Sequence, residues 1–239
     1  MYISNKDIRA RARDLLDENI FGKDWLKSVA LNVLMILVSV SIWALMYLIA
    51  YSIFDGILNL ATNVVGEKEW VQIALFILFI IIGLLIYGLL IGPWLVGMAA
   101  IHLDLERGSG KIDISLFATN FQNFFENLQL GLMYVLHILL WGLLLVGPGV
   151  YTYCSYAMCF YVKHDNPEFT WKECFDESER LMEGNRWRWI KLQWSFIGWK
   201  LLGLVAFIVL GYFWVTPYVR VSSAVFYDLI KDEKAEYDY

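Results

Sequence analysis

The residues best suited to chemistry are few, and most are cations in apolar surroundings. Lys200 and Arg220 are the only Asp, Glu, Lys or Arg residues in the 36-residue stretch Leu192–Tyr227. A charge at membrane depth is expensive and by default marks a functional site, here for an anionic headgroup or an anionic substrate. No carboxylate lies deep in an apolar run to pair with them, and snorkelling of both long side chains toward an interface is the plainer reading. Arg186-Trp187-Arg188-Trp189, followed by Trp194 and Trp199, alternates cations and indoles. That is the composition of an interfacial anchor, with lipid contact as its further use. His137 is alone in an apolar run and reads as a packing residue. His102 and Asp104 could form an acid–base or metal pair, with nothing in the sequence to complete a site.

Cys154, Cys159 and Cys174, with His164, are too dispersed for zinc. Two of them sit in an apolar run, so a disulfide framework is not expected. No nucleophile–base arrangement, phosphate-binding glycine loop or pair of carboxylates at span depth is legible. The expectation is therefore a protein that is not an enzyme and uses no cofactor or metal.

These residues are positioned by long apolar runs. Hydrophobic residues make up 59% of the 239 and charged ones 18%. Soluble domains average about 45–50% and about 25% respectively. No charge interrupts Ser28–Phe54, Trp70–Leu103 or Asn127–Val162, runs of 27, 34 and 36 residues. A membrane span needs roughly 20 apolar residues. The charged first 27 residues do not resemble a cleavable signal, so Ser28–Phe54 reads as a retained first span. The two 36-residue runs each fit two helices, turning near Gly147-Pro148-Gly149 and near Gly211 or Thr216-Pro217.

The run 70–103 contains Gly92-Pro93 and could be one helix or two. As one helix, it leaves 16 lysines and arginines on one side and only Lys68 on the other. That is a positive-inside distribution with both termini in the cytoplasm. The excess length would be taken up by tilt, a kink at Pro93, or projection beyond the bilayer. The same side carries 21 carboxylates, which argues against nucleic acid as a partner.

Leu15-Leu16-Asp17-Glu18-Asn19 matches Leu181-Met182-Glu183-Gly184-Asn185, with Ala12 and Ser178 at equal spacing before them, and Phe124-Phe125-Glu126-Asn127 is a looser copy. Each closes an amphipathic stretch. Thr170 and Glu173 have capping-box spacing, and Phe169 and Cys174 could form a hydrophobic staple. Trp171, Cys174, Phe175, Ser178, Leu181 and Met182 then share a face, and Gly184 ends the helix. Ile114, Phe117, Phe121, Phe124 and Leu128 repeat the design, and Ile8, Ala12, Leu15 and Leu16 form a weaker version.

The segment Glu177–Arg188, continuing to Ser195-Phe196-Ile197-Gly198-Trp199, resembles a bacterial membrane-protein family catalogued as domain-of-unknown-function family 975. Its pattern reads roughly S-x-x-L-M-x-G-x-x-W-R, then L-S-F-I-G-W. Arg107-Gly108, Pro148-Gly149, Tyr156-Ala157, Asn166-Pro167, Pro217-Tyr218 and Phe226-Tyr227 are similar to the family as well. Trp194 departs from it, standing where leucine is usual, and Lys200 stands where an apolar residue is expected. The resemblance implies a bacterial cytoplasmic membrane and supplies no catalytic residues.

Together these readings predict an all-α, polytopic transmembrane bundle of about six spans, near 28–54, 70–103, 128–146, 148–163, 189–210 and 212–231. Amphipathic cytoplasmic helices are expected near 4–20, 114–127 and 170–183, in a threefold pseudo-repeat of one amphipathic helix and two spans. The expected function is a non-enzymatic module that contacts membrane lipids or other membrane proteins. Lys200, Arg220, Arg186, Arg188, Trp187 and Trp189 are the candidate lipid or anionic-ligand contacts. A transporter component for a small or amphiphilic solute is the alternative.

Overall fold

A computed structural model describes residues 4–16, 23–65, 68–109, 113–119, 122–198 and 208–237. The described residues are all-helical, with no strand. In order they form α1 (Asn5–Leu15), α2 (Lys23–Val65), α3 (Lys68–Asp104), a π-helical turn (Leu105–Ser109), α4 (Ile114–Thr119), α5 (Phe124–Leu144), α6 (Val146–Ser155), α7 (Cys159–Asp165), α8 (Trp171–Met182), α9 (Arg186–Ser195) and α10 (Ile208–Tyr237).

α1 and α8 both start with capping boxes, the one at Thr170 expected from its spacing and the one at Ser4 not. The Ser4 hydroxyl accepts from the Asp7 amide at 3.4 Å, and the Asp7 carboxylate accepts the Ser4 amide at 3.0 Å. Thr170 and Glu173 repeat this with 3.4 and 2.7 Å. Gly184 follows the end of α8 at φ 79, a left-handed conformation that costs glycine little. Cys174, Phe175, Ser178, Leu181 and Met182 are buried along α8, as Ile8 and Ala12 are along α1. These faces pack on the protein itself. The expected helix 114–127 is broken instead: α4 has six residues, Gln122 and Asn123 form a turn, and Phe124 opens α5. Asn19 and the rest of segment 17–22 lie outside the described residues.

α2 has 43 residues and α3 has 37, so they extend about 64 and 55 Å. α2 continues past Phe54: Asp55 ends the charge-free run, but no proline follows to break the helix before Val65. α3 is one helix with Pro93 inside it. At Gly92 a Cβ would stand 1.9 Å from the Asn127 carbonyl oxygen and 2.8 Å from the Gly131 nitrogen, so the backbones of α3 and α5 touch there.

The chain turns at Leu145, an extended residue between α5 and α6, rather than at Gly147-Pro148-Gly149. Those three residues form the first turn of α6, where proline lacks only an amide that needs no helical partner. A Cβ on Gly149 would lie 2.7 Å from the Gly142 Cα, so the two helices close on a glycine pair.

The expected span 148–163 is cut by a turn at Tyr156–Met158 into α6, of ten residues, and α7, of seven. Ser178 on α8 fills the break: its hydroxyl donates to the Ser155 carbonyl at 2.7 Å and accepts the Met158 amide at 3.2 Å. The expected span 189–210 likewise begins with a ten-residue α9 that stops at Ser195, and residues 199–207 lie outside the described set. The turn expected near Gly211 or Thr216-Pro217 is absent, because both positions lie inside the continuous α10. Among the described residues, two helical stretches, Trp25–Leu45 and Phe124–Leu144, are long and apolar enough to cross a membrane, against about six expected.

Burial divides the molecule. One packed base joins α1, the C-terminal end of α3 from Val96, α7, α8, α9 and the middle of α10 from Val221 to Ile230. Away from it, the long helices expose large apolar side chains: Leu37, Val40 and Leu48 on α2, Ile77 and Ile81 on α3, Leu140 and Leu143 on α5.

Candidate functional site

Polar residues converge at the base. The π-helical turn after α3 contains Gly108 at φ 111 and presents Arg107. Arg107 donates to both oxygens of Asp165, at 2.7 and 2.8 Å, and to both oxygens of Asp228, at 2.7 and 3.0 Å. The Tyr227 hydroxyl donates to Asp165 at 3.1 Å, and Lys231 also pairs with Asp165. Asp165 closes α7, and Asp228 lies on α10, so one guanidinium ties together three helical elements far apart in sequence. Two-pronged pairing of this kind fixes geometry as well as charge. The Asp165 side chain is 7% exposed. Burial pushes its carboxyl up, but hydrogen bonds from Arg107 and Lys231 outweigh that and hold it at about 2, below the ordinary 3.8. The same carboxylates raise Arg107 above its ordinary value against the opposing effect of burial.

Further ion pairs surround this node. Lys163, 2% exposed, donates to Glu126 at 2.5 Å and to the Pro167 and Phe169 carbonyls at 2.7 Å. Arg11 on α1 meets Glu106 at 2.6 Å. The groove between α1, the π-helical turn and α10 has a volume of about 970 Å³ and is lined by Asp14, Glu106, Asp232 and Glu236 among others.

A nucleophile–base pair absent from the sequence reading is present in the fold. The Ser28 hydroxyl and His102 Nε2 are 3.0 Å apart, and His102 Nδ1 is 2.6 Å from the Met98 carbonyl. A carbonyl only accepts, so Nδ1 carries the proton and Nε2 accepts from Ser28. Ser28 and His102 are each 0% exposed, with Asn32 beside them at 2%. The pair is fully buried and bonds α2 to α3. His137 is placed differently, bonded to the Met133 carbonyl at 2.8 Å and packed edge-on against Phe175 and Tyr156. Cys154, Cys159 and Cys174 are free and buried. No metal-binding cluster of His, Cys, Asp and Glu occurs among the described residues.

The residues singled out as lipid contacts are brought to different surroundings. Arg186 bonds Ser155 at 3.0 Å and Glu179 at 3.2 Å, with its guanidinium 4.4 Å over the Tyr151 ring. Arg188 bonds Glu233 at 2.7 Å and Asn185 at 2.8 Å. Trp189 is buried against Phe226. Trp187 is exposed, as is Trp194, and Lys191 lies 5.7 Å over the Trp187 ring. Arg220 is partly buried on α10, within electrostatic range of His102. Lys200 lies outside the described residues.

Sequence reasoning did not assemble the Arg107 node. The signal that could have found it was the family-like features, since Arg107-Gly108, Asn166-Pro167 and Phe226-Tyr227 each contain or adjoin one of its members. The family model described as "Protein of unknown function (DUF975)" matches residues 114–234, and the chain belongs to that family. Asp165, Tyr227, Asp228 and Lys231 fall inside the matched region, and Arg107 precedes it. Comparisons with curated proteins and with solved structures give no match.

Proposed function

We propose that this protein is a non-enzymatic membrane module of the bacterial cytoplasmic membrane, with lipids or other membrane proteins as its partners. It inserts three helical hairpins, six membrane segments in all, and keeps both termini and the packed base in the cytoplasm. The observation that carries this reading is the sorting of apolar side chains. A single apolar side chain exposed to water is ordinary, but here Val40, Tyr47 and Leu48 are 60–62% exposed on one helix, and Leu143 is 91% exposed on another. Surfaces of that extent belong against lipid or a partner. The cation asymmetry sets the orientation. Sealing of Ser28 and His102 supports a role without catalysis.

The threefold repeat belongs to the same proposal. Asp113 accepts the Ser115 amide at 2.8 Å at the start of α4. Ser4, Asp113 and Thr170 each stand 11 residues before Leu15, Phe124 and Leu181 respectively, so three helix-starting caps share one register. In this arrangement Trp187, Lys191 and Trp194 face headgroups, Arg186, Arg188 and Trp189 hold α9 in place for that contact, and Lys200 and Arg220 serve the inner leaflet.

Alkaline carbonate washing of membranes from expressing cells tests the reading. The protein is expected to stay in the pellet, to need detergent for release, and to carry phospholipid detectable by mass spectrometry. Quantitative release into the carbonate supernatant would remove the proposal.

A further inference from the structure

We infer that the α5–α6 hairpin is re-entrant: its tip, Leu143–Val146, ends among lipid acyl chains and does not emerge into water on the far side. This rests on the membrane placement proposed above. From Ile138 to Val150 the chain has no charged, amide or hydroxyl side chain. At the turn itself Leu143, Leu144, Leu145 and Val146 are 91, 68, 67 and 79% exposed. A turn in water would be expected to carry polar residues, as the sequence just after α2 does with Glu67 and with Lys68-Glu69 at the start of α3.

The reach of the helices agrees. Gly92 of α3 touches α5 between Asn127 and Gly131, which provides a common level on the two helices. The exposed Glu126 carboxylate, bonded to Lys163, lies beside it and marks the inner edge of the hydrocarbon. At 1.5 Å per residue, Lys68 lies about 36 Å beyond that level, while Leu144 lies only about 20–26 Å beyond it. A hydrocarbon core of about 30 Å is cleared by the first hairpin and not by the second.

A turn in lipid must satisfy its backbone, and two bonds close part of this one. The Leu145 amide donates to the Trp141 carbonyl at 3.1 Å, and the Gly149 amide donates to the Leu145 carbonyl at 3.2 Å. Pro148 has no amide to satisfy. At Gly142 and Gly149 the two backbones approach too closely for water to stand between them.

Single cysteines at Leu144→Cys and Glu69→Cys test the inference in proteoliposomes with a membrane-impermeant maleimide supplied on both sides. The buried native cysteines set the background. Glu69→Cys is expected to label, and Leu144→Cys to label roughly tenfold more slowly or not at all, because its thiol lies within the hydrocarbon. A bimane fluorophore placed on Leu144→Cys in detergent before reconstitution is expected to be quenched by mid-chain doxyl phospholipids. Labelling of Leu144→Cys at the rate of Glu69→Cys would overturn the inference. So would an unlabelled, unquenched Leu144→Cys that forms a disulfide-linked dimer, which would place the tip in a second copy. Failure of Glu69→Cys to label would instead count against the proposed membrane placement.

Discussion

Gly92→Ala is the sharpest perturbation the fold offers. The added Cβ would lie 1.9 Å from the Asn127 carbonyl oxygen and 2.8 Å from the Gly131 nitrogen. Both are backbone atoms, so no side-chain rotation relieves the clash. An ordinary contact of about 3.4 Å requires α5 to retreat by roughly 1.5 Å, in an interior that packs like a crystal. Overpacking of this kind costs typically 1–3 kcal/mol, and the rigidity of the colliding atoms places this case at about 2–3 kcal/mol. For a chain of this size that corresponds to a fall in Tm of roughly 5–10 °C. A thiol-reactive dye gives the assay in detergent, because Cys154, Cys159 and Cys174 are buried and react only on unfolding. Gly147→Ala is the control, since its Cβ meets nothing within 4 Å. A Gly92→Ala protein that unfolds within about 1 °C of the parent would refute the close approach of α3 and α5.

Three further outcomes are expected. Asp165→Asn removes a carboxylate whose pKa is held at about 2 and lowers stability at neutral pH by on the order of 2 kcal/mol. Because the folded carboxyl sits below its unfolded value, the contribution is full above about pH 4 and disappears as pH falls toward 2; tryptophan fluorescence melts across that range should show the parent losing stability that Asp165→Asn lacks throughout. Ser178→Ala leaves the Ser155 carbonyl and Met158 amide without their side-chain partner and should cost about 1–3 kcal/mol, read as a lower denaturation midpoint. Thr170→Ala removes the α8 cap and should cost about 1 kcal/mol, with hydrogen exchange rising first at the amides of residues 171–173.

What could be read in advance was local. Thr170 and Glu173 act within one turn, and the buried face of α8 follows from a spacing of three and four residues, so both are written in consecutive sequence. The apolar runs likewise marked where α2, α3 and α5 lie, because hydrophobicity is summed over neighbours in the chain. Turn position was less legible: Gly147-Pro148-Gly149 looks like a break, yet a proline in the first turn of a helix costs nothing, and the reversal fell on Leu145. The interruption at Tyr156–Met158 had no local signal, since it is stabilised by Ser178 from another helix.

The sequence by itself determined the helical class, the long charge-free segments and the capped amphipathic helix α8. Only the tertiary structure decided what those helices cover and which charges meet. Arg107 finds Asp165 and Asp228 at separations of 58 and 121 residues, and Ser28 finds His102 at 74. Pairing at such distances depends on how whole helices pack, through contacts such as Gly92 on α5, and no pattern in neighbouring residues encodes it.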